Sequence, residues 1–589
     1  MTDQVQFATF ERTPRRVIDL PAIAPSYHQL TSPVRSAIVH ARRLLLSRQR
    51  RDGSWAGHQI GDASLPSQLI LLLAYLGRED GELADQAANA ILRDQLECGG
   101  WPSVPGGRID LSVSVQAYFA LKLAGHKPNR PHMAAARQVI RQSGGADGAD
   151  ATTRMFLALF GQIDHDLHGA KNSCIAAGPR RAIEMAQGVR ELFVARPIQW
   201  PVLAKPTPER TSSFLDFVRQ LIAEYRPDGC DASTTSVIWE ERLRQFVVID
   251  DERDEARPCL ATSPTWDTAL VRAALLESGS RVDRLGSPSL ESRLNPAVAE
   301  TMELAAIVRL QAAGNCRQRV PSALPPEIQL LGDERLQNRA ANRQDLAESD
   351  AVEEANARFV EELLSRQNSD GGWSAGGPHD AASDPATTAS VLESLAHQDF
   401  APTHEAVGRG ATYLRSAQRA DGSWESAAGV RFIHGTSHAI RGLIAAGAGP
   451  DDPAVKAGVN WLLVHQQESG GWGEAAPSSP THDEFIPAAA AAIQTAWAVT
   501  ALVAAGGAME DATLCGIQFL LETQEDDGDW LDLQFTLRDA AAERCYRNDL
   551  HSAAESLAAL ARWAVSAARC EPESMSMRLK LVAEEVTLA

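Results

Sequence analysis

Several features are scarce in this chain of 589 residues, and each scarcity excludes a class of protein. The eight cysteines are scattered and form no Cys-x-x-Cys pair, which argues against a disulfide framework and favours reduced thiols. No uninterrupted apolar run is long enough to span a bilayer. The first residues, Met-Thr-Asp-Gln-Val-Gln-Phe, lack the basic-then-apolar order of a signal peptide. We therefore expect a cytoplasmic protein.

Positive charge is also scarce. Lys and Arg number 56 against 76 Asp and Glu, which gives a formal net charge of −20. This balance argues against nucleic acid as a partner and against electrostatic docking on anionic lipid, so we expect at most peripheral membrane contact. Hydrophobic residues make up 44% of the chain and charged residues 22%, which indicates a globular protein long enough for two domains with full cores.

What the chain has in abundance is the phrase Gln-x-x-x-Gly-x-Trp. The six copies occupy residues 49–55, 95–101, 367–373, 418–424, 466–472 and 524–530. Each copy follows an apolar helical run and precedes a stretch rich in Ala and Leu. This pattern predicts a helix that ends in a Gly-containing turn, with the Gln bonding free backbone groups and the indole closing the joint. Repeats of roughly 50 residues predict stacked helix pairs, which close into an α/α barrel or form a solenoid.

The repeated phrase resembles the QW repeat of squalene–hopene and oxidosqualene cyclases, the class II terpene cyclases. Further segments resemble the family in the same order, among them Gly61-Asp-Ala-Ser-Leu-Pro66, Ser263-Pro-Thr-Trp-Asp-Thr-Ala269 and Gln494-Thr-Ala-Trp497. The resemblance implies an all-α fold of two α/α barrel domains, the toroids of terpenoid cyclases and prenyltransferases, with the repeats at the helix joints. It also implies an inserted barrel of residues 36–260, a main barrel of residues 1–35 plus 261–589, and a cavity between them.

The family begins cyclisation when the middle Asp of an Asp-x-Asp-Asp motif protonates an alkene or epoxide, which requires an unusually strong acid. This chain contains no Asp-x-Asp-Asp-Thr-Ala sequence. The family interval, counted back from Gln367, leads to the segment 330–335, Leu-Leu-Gly-Asp-Glu-Arg. Asp333 and Glu334 are therefore the candidate acids, and the alternative interpretation of this segment is a surface turn.

Other candidate residues follow from the same resemblance. His465 occupies the position of a family His that hydrogen-bonds the acid and strengthens it. Trp266 and Asp267 match a Trp-Asp pair at the cavity floor, and we count Asp267 with His465 among the catalytic candidates. Trp497 matches a cavity Trp whose ring face can stabilise carbocations. The alternative interpretations are a core histidine and structural indoles.

Two segments depart from the family where it contacts its substrate. The family's Tyr-x-Tyr-Gly-Thr becomes Phe432-Ile-His-Gly-Thr436, which puts a His where a Tyr is usual. A C-terminal stretch rich in Phe and Tyr becomes Arg544-Cys-Tyr-Arg-Asn-Asp-Leu550, whose charged groups suit a polar substrate or none. The candidate substrate-binding residues are Trp266, Trp497, Phe432, His434 and Asn548.

A magnesium site is a weaker alternative. Asp250-Asp-Glu-Arg-Asp254 has the Asp-Asp-x-x-Asp pattern of class I terpene synthases, and Asn548-Asp-Leu-His-Ser-Ala-Ala-Glu555 nearly matches their second metal motif. The cyclase family itself has an Asp-Asp at the position of 250–251, which favours a solvated loop instead. We therefore expect no metal and no cofactor.

These observations leave three hypotheses. The leading one is a class II terpene cyclase-like enzyme that cyclises or isomerises a linear isoprenoid polyene with a noncanonical acid. The second is a family member that has lost catalysis and binds an isoprenoid or a partner protein, and the third is Mg²⁺-dependent chemistry on a prenyl diphosphate. The sequence leaves open the substrate, the product and the oligomeric state, for which a homodimer is one option.

Overall fold

The computed structural model describes residue 358 and the ranges 24–150, 232–244, 246–250, 253–259, 264–282, 360–374, 382–398, 400–427, 430–476, 484–539 and 544–588, with positions 153, 154, 156, 157, 160 and 162. Helices dominate these residues, and the five named strands have at most five residues each. The prediction of an all-α protein is confirmed.

The elements follow one another in three stretches of the chain. The first contains α1 (Tyr27–Ser47), β1 (Gln59–Ile60), α2 (Ser64–Tyr75), α3 (Glu82–Arg93), α4 (Leu111–Leu123) and α5 (Pro131–Gln142). The second contains α6 (Ala232–Arg244), β2 (Val247–Asp250), β3 (Glu255–Pro258) and α7 (Pro264–Val282). The third contains α8 (Pro385–His397), α9 (Glu405–Ser416), α10 (Arg431–Ala445), α11 (Pro453–Val464), α12 (Ala492–Ala504), α13 (Asp511–Glu522), β4 (Leu537–Asp539), β5 (Arg544–Asn548) and α14 (His551–Leu588).

Several helix starts are set by local sequence. Asp384 precedes Pro385 and accepts a hydrogen bond from the Thr387 N–H, while Asp452 precedes a Pro and accepts from the Ala454 N–H. A carboxylate at the residue before the helix pairs an otherwise free N–H, and Pro at the first helical position has the required backbone angle. The starts of α8 and α11 therefore follow from an Asp-Pro dipeptide.

The six repeat phrases form joints with the same hydrogen bonds, as the sequence predicts. Each indole Nε1–H donates to the carbonyl oxygen ten residues earlier, at 2.6–2.8 Å. Each Gln side-chain amide donates to the carbonyl of the Gly four residues on, at 2.7–3.1 Å. That Gly has a positive φ between 82° and 97° in all six copies, a conformation that disfavours residues with a Cβ. At Gly422 an added Cβ would also lie 2.6 Å from the Ala457 carbonyl oxygen.

The Gln side chain also connects consecutive repeats. Gln367 donates to the Ala406 carbonyl, Gln418 to Ala454 and Gln466 to Ala512, each at the start of the next outer helix. Gln524 of the last repeat donates to the Ala37 carbonyl of α1 at 3.1 Å. The last repeat therefore contacts the first, as expected for a ring of helix pairs.

Two principal cores organise the helices. The C-terminal core contains buried residues of α1, α7 and α8–α14, together with Trp55, and the N-terminal core contains those of α2–α6 and Ala256. In the C-terminal core, α8, α10, α12, α14 and α7 contact one another in that order. The outer helices of this core, such as α9 and α11, bury one side only.

The packing of α1 differs from the predicted division at residue 36. The sequence assigns residues 36–57 to the inserted barrel, but α1 and Trp55 pack in the C-terminal core. The physical reason is the first joint: the backbone N–H of Trp55 donates to the Thr268 hydroxyl of α7, the role that Thr388 of α8 has for Trp373. The helix that completes the first repeat is therefore α7, and the N-terminal core is inserted inside a repeat.

A small sheet connects the two cores. Its strand order is β1–β5–β4, all antiparallel, with Ile60 paired to Arg547 and Arg538 paired to Cys545. Strand β1 precedes the N-terminal core, whereas β4 and β5 precede α14 of the C-terminal core. A two-stranded sheet, β2–β3, packs against α3.

We expect Gln466→Ala to destabilise the chain more than Gln49→Ala. Gln466 is buried and pairs two carbonyl groups, whereas Gln49 is exposed and pairs one. Leaving buried carbonyls unpaired costs about 1–3 kcal/mol, so the apparent Tm of Gln466→Ala should fall several degrees below that of the control. Differential scanning fluorimetry measures both values, and equal Tm values would show that the second bond contributes nothing.

Candidate functional site

The candidate acids Asp333 and Glu334 lie outside the residues that the structure describes. The other predicted site residues are all described, and their contacts fall into three groups. The groups centre on Asp267, on Trp497 and on His465, and the second and third both involve residues at the start of α10.

Asp267 lies in the first turn of α7 and is fully buried, with 0% exposure. Its Oδ2 accepts the N–H of Gly57 at 2.8 Å, and its Oδ1 accepts the side-chain amide of Asn548 at 3.1 Å. Oδ1 also lies 2.9 Å from Nε2 of His551, whose ring centroid is 6.3 Å from that of Trp266. Both carboxylate oxygens are engaged by the protein, an arrangement typical of a structural anchor between α7, the first joint and α14.

Trp497 and two histidines form a buried aromatic group inside the C-terminal core. The ring centroids of Trp497 and His434 are 4.7 Å apart at an interplanar angle of 77°, and those of His434 and His438 are 4.1 Å apart. His434 Nδ1 lies 3.1 Å from the Ser426 hydroxyl, and the buried Trp497 Nε1–H has no hydrogen-bond partner among the described residues. Sequence reasoning missed His438, although its position one turn after His434 on α10 was the available signal.

His465 lies directly after α11 and packs between two aromatic rings. It stacks on Trp461 with centroids 4.0 Å apart and meets Phe485 edge-on at 4.5 Å. Its Nδ1 lies 2.7 Å from the Trp461 carbonyl oxygen, so Nδ1 carries a proton and donates it. Burial lowers the pKa of His465. The neutral ring therefore presents Nε2 as a hydrogen-bond acceptor. Phe432 adjoins this group, and its ring centroid lies 6.4 Å from that of Trp461.

Two buried carboxyl groups were missed by sequence reasoning. Glu474 accepts the N–H groups of Phe432 and Ile433 at the start of α10, at 2.8–3.1 Å. Asp532 accepts the N–H groups of Ala492 and Ile493 at the start of α12, at 2.7–2.8 Å. Burial raises the pKa of both, that of Glu474 to about 7. The signal was present in the repeats, because each carboxylate stands two residues after a repeat Trp.

Comparison with known proteins agrees with this arrangement of joints and buried polar groups. The pattern of the squalene-hopene cyclase N-terminal domain matches residues 38–169, and that of the squalene-hopene cyclase C-terminal domain matches residues 262–564. The chain belongs to the squalene-hopene cyclase family. The resemblance that the repeats predict is confirmed, and the family is that of terpene cyclases in isoprenoid biosynthesis.

Relatives of the squalene-hopene cyclase family align with most of the chain. A squalene–hopene cyclase of Zymomonas mobilis is 29% identical over 85% of this chain and 91% of its own length. One of Bradyrhizobium diazoefficiens is 28% identical over 85% of this chain and 90% of its own length. One of Schizosaccharomyces japonicus is 28% identical over 87% of this chain and 92% of its own length.

Several described residues of the two acidic motifs of the magnesium alternative are engaged in protein contacts. Asp250 pairs with Arg253, and Asp254 accepts from the side chains of Gln86 and Asn89. In the second motif the Asn548 amide donates to Asp267, and the Ser552 hydroxyl donates to Asp532. Within the described ranges, no group of three or more His, Cys, Asp or Glu is arranged to hold a metal ion.

In the part of the chain that the structure describes, no helix combines the length and the apolar character needed to cross a membrane.

We expect Glu474→Gln to change how stability depends on pH. Because the pKa of Glu474 is about 7 in the folded chain and near its ordinary 4.5 when unfolded, the folded state binds a proton that the unfolded state has released. Stability from this group is therefore full below about pH 4.5 and is lost as pH rises through about 7.

The wild type should lose about 1–3 kcal/mol relative to Glu474→Gln between about pH 5 and pH 8. Urea unfolding at a series of pH values measures this difference. Glu484→Gln, which removes an exposed carboxylate, should show no such trend. If the difference in unfolding free energy between the wild type and Glu474→Gln stays constant with pH, Glu474 does not titrate in this range.

Proposed function

We propose that the chain cyclises or isomerises a linear isoprenoid polyene by protonating it, in the manner of a class II terpene cyclase with a noncanonical acid. The observation that carries this proposal is the buried group of Trp497, His434 and His438 inside the C-terminal core. An indole ring attracts a cation through its face, and burial of Trp497 excludes the water that would quench one. The squalene–hopene cyclase relatives, aligned over most of the chain, support the same reaction class.

In the proposed reaction a carboxylic acid adds its proton to a terminal double bond. The neighbouring double bond attacks the resulting cation and forms a ring, and loss of a proton from carbon ends the sequence. No cofactor enters this balance, because the proton that is added is released again. Asp333 and Glu334 remain the candidate acids. His465 supports the acid through Nε2, because its Nδ1 is committed to the Trp461 carbonyl.

The remaining predicted residues have supporting roles in this proposal. Phe432 and Trp266 contribute apolar surface for the substrate, and His434 contacts it in place of the family's Tyr. Asp267 and Asn548 belong to one hydrogen-bonded anchor, because the side-chain amide of Asn548 donates to Asp267 Oδ1. Their proposed contribution is to position the start of α14 and the Trp266 ring.

A second candidate function is binding of an isoprenoid or a partner protein without catalysis. The observation that favours it is the charge in the interior of the C-terminal core. Arg441 of α10 makes two 2.8 Å hydrogen bonds to Glu393 of α8, and Arg562 of α14 makes two to Glu277 of α7. Desolvated ion pairs suit a hydrocarbon pathway poorly. Magnesium-dependent chemistry has less support, because Asn548 and Ser552 are engaged.

The test is incubation of the purified chain with squalene, oxidosqualene, farnesyl diphosphate and geranylgeranyl diphosphate, with and without Mg²⁺, followed by mass spectrometry. We expect cyclic products without Mg²⁺. Asp333→Asn or Glu334→Gln should reduce turnover by at least the ~10²–10⁴-fold typical of general acids, with the melting temperature unchanged.

Glu362→Gln is the matched control, because it removes an exposed carboxylate whose ion pair within the described residues is with Arg366 on the surface. Its turnover should equal that of the wild type. Products that form only with Mg²⁺ would support the prenyl diphosphate alternative, and no product from any substrate would support the non-catalytic one.

A further inference from the structure

Two guanidinium groups project from one face of the β4–β5 hairpin. Arg538 is paired directly with Cys545, and Arg547 follows Cys545 by two residues, so the three side chains share a face of the sheet. Diagonal neighbours on adjacent strands lie about 7–8 Å apart. Both arginine side chains are half-buried. Two long side chains at this spacing can reach one ligand group together.

Neither guanidinium forms a direct ion pair with a carboxylate among the described residues, although the charges of Asp532 and Asp549 act on Arg547 at longer range. The one hydrogen bond of Arg547 is a long contact of 3.4 Å from Nη1 to the Asp532 carbonyl oxygen. Arg538 makes no hydrogen bond or ion pair within the described part of the chain. In contrast, Arg257 pairs with Asp94 and Glu255 in the same region of the molecule.

The carboxylates near Arg547 are already committed to other groups. Asp549 accepts the backbone N–H of His58 and contacts its Nδ1, at 2.7 and 2.9 Å. Asp532 accepts two backbone N–H groups at the start of α12 and the Ser552 hydroxyl. Burial and the neighbouring charge of Arg257 lower the pKa of Arg547. Asp549 and Asp532 offset this shift only in part. A half-buried cation without a direct ion pair is unfavourable, and an external anion would reduce that penalty.

A small buried apolar cluster adjoins the two arginines. Cys545, which shares their face of the sheet, packs against Val104, Ala476 and Phe535. Val104 follows the second repeat phrase in the N-terminal part of the chain, whereas Ala476 and Phe535 follow the last two phrases. The site therefore lies where N-terminal and C-terminal segments of the chain meet, with positive charge beside buried apolar side chains.

We propose that Arg538 and Arg547 bind the anionic head group of an isoprenoid, a carboxylate or a phosphate. The proposal rests on the proposed function for the isoprenoid class and adds the nature of its polar end. Guanidinium groups suit this role, because each offers a planar fork of N–H donors that matches two oxygens of a carboxylate or phosphate.

The test measures binding and not turnover. The purified wild-type chain is titrated with farnesyl diphosphate, farnesoic acid and farnesol in EDTA, with quenching of tryptophan fluorescence as the signal. We expect at least one anion to bind about ten- to a hundredfold more tightly than farnesol, the effect of hydrogen bonds to a charged group. Comparison of the two anions distinguishes the carboxylate from the phosphate. The advantage should shrink at high salt.

The variants assign this advantage to the hairpin. Arg547→Gln and Arg538→Gln should each remove most of it and leave farnesol binding unchanged, whereas Arg547→Lys should retain part of it, because it keeps the charge and loses the fork. Arg415→Gln is the matched control, since it removes the same charge from a surface pair with Asp452. It should bind all three ligands as the wild type does.

Equal affinity of the wild type for the three ligands, or no binding of either anion, overturns the proposal. An equal loss of anion affinity in Arg415→Gln and Arg547→Gln also overturns the proposal, because the loss would then come from the change in net charge. If the glutamine variants fail to fold, the preference of the wild type for an anion over farnesol, measured at low and at high salt, decides whether the proposal stands. Turnover of squalene without preferential anion binding contradicts this proposal alone, whereas anion binding without any turnover contradicts the cyclase proposal alone.

Discussion

The indole hydrogen bond at each repeat joint is the interaction on which the rest of the structure depends. The last carbonyl groups of a helix have no partner within the helix, and a buried one costs about 1–3 kcal/mol if it stays unpaired. In all six joints the Trp Nε1–H pairs such a group and the Gln amide pairs the carbonyl of the turn Gly, with the same spacing and nearly the same distances. The helix ends are therefore paired at each joint, and the chain turns back through a short turn whose tip is exposed, as at residues 50–53 and 419–421.

The same joint explains how a second core is accommodated. Trp55 closes its joint on Thr268 of α7, so the N-terminal core enters the chain between the two halves of one repeat. The entropy of closing a loop rises only slowly with its length, and an insertion that folds on its own disturbs the joint little. The antiparallel pair of β1 and β5 then holds the insertion against the start of α14.

Buried carboxylates couple neighbouring joints. Glu474 and Asp532, each two residues after a repeat Trp, receive the first N–H groups of α10 and α12. Asp267 performs the reciprocal task, since it lies at the start of α7 and receives the N–H of Gly57 after the first repeat Trp. These contacts make the interior polar next to the aromatic group at Trp497. They also commit most of the interior carboxylates, which distinguishes the two hairpin arginines from the rest.

The sequence by itself determined the all-α class, the six joints and the family, because these features rest on local spacing. The indole bond spans ten residues and the Gln–Gly bond four, so both can be read from the repeated phrase. Only the tertiary structure decided that α1 pairs with α7, that Asp267 meets Asn548 across 281 positions, and that Arg547 forms no direct ion pair with a described carboxylate. The physical reason is that burial and charge pairing are set by residues far apart in the chain, whose approach no local pattern records.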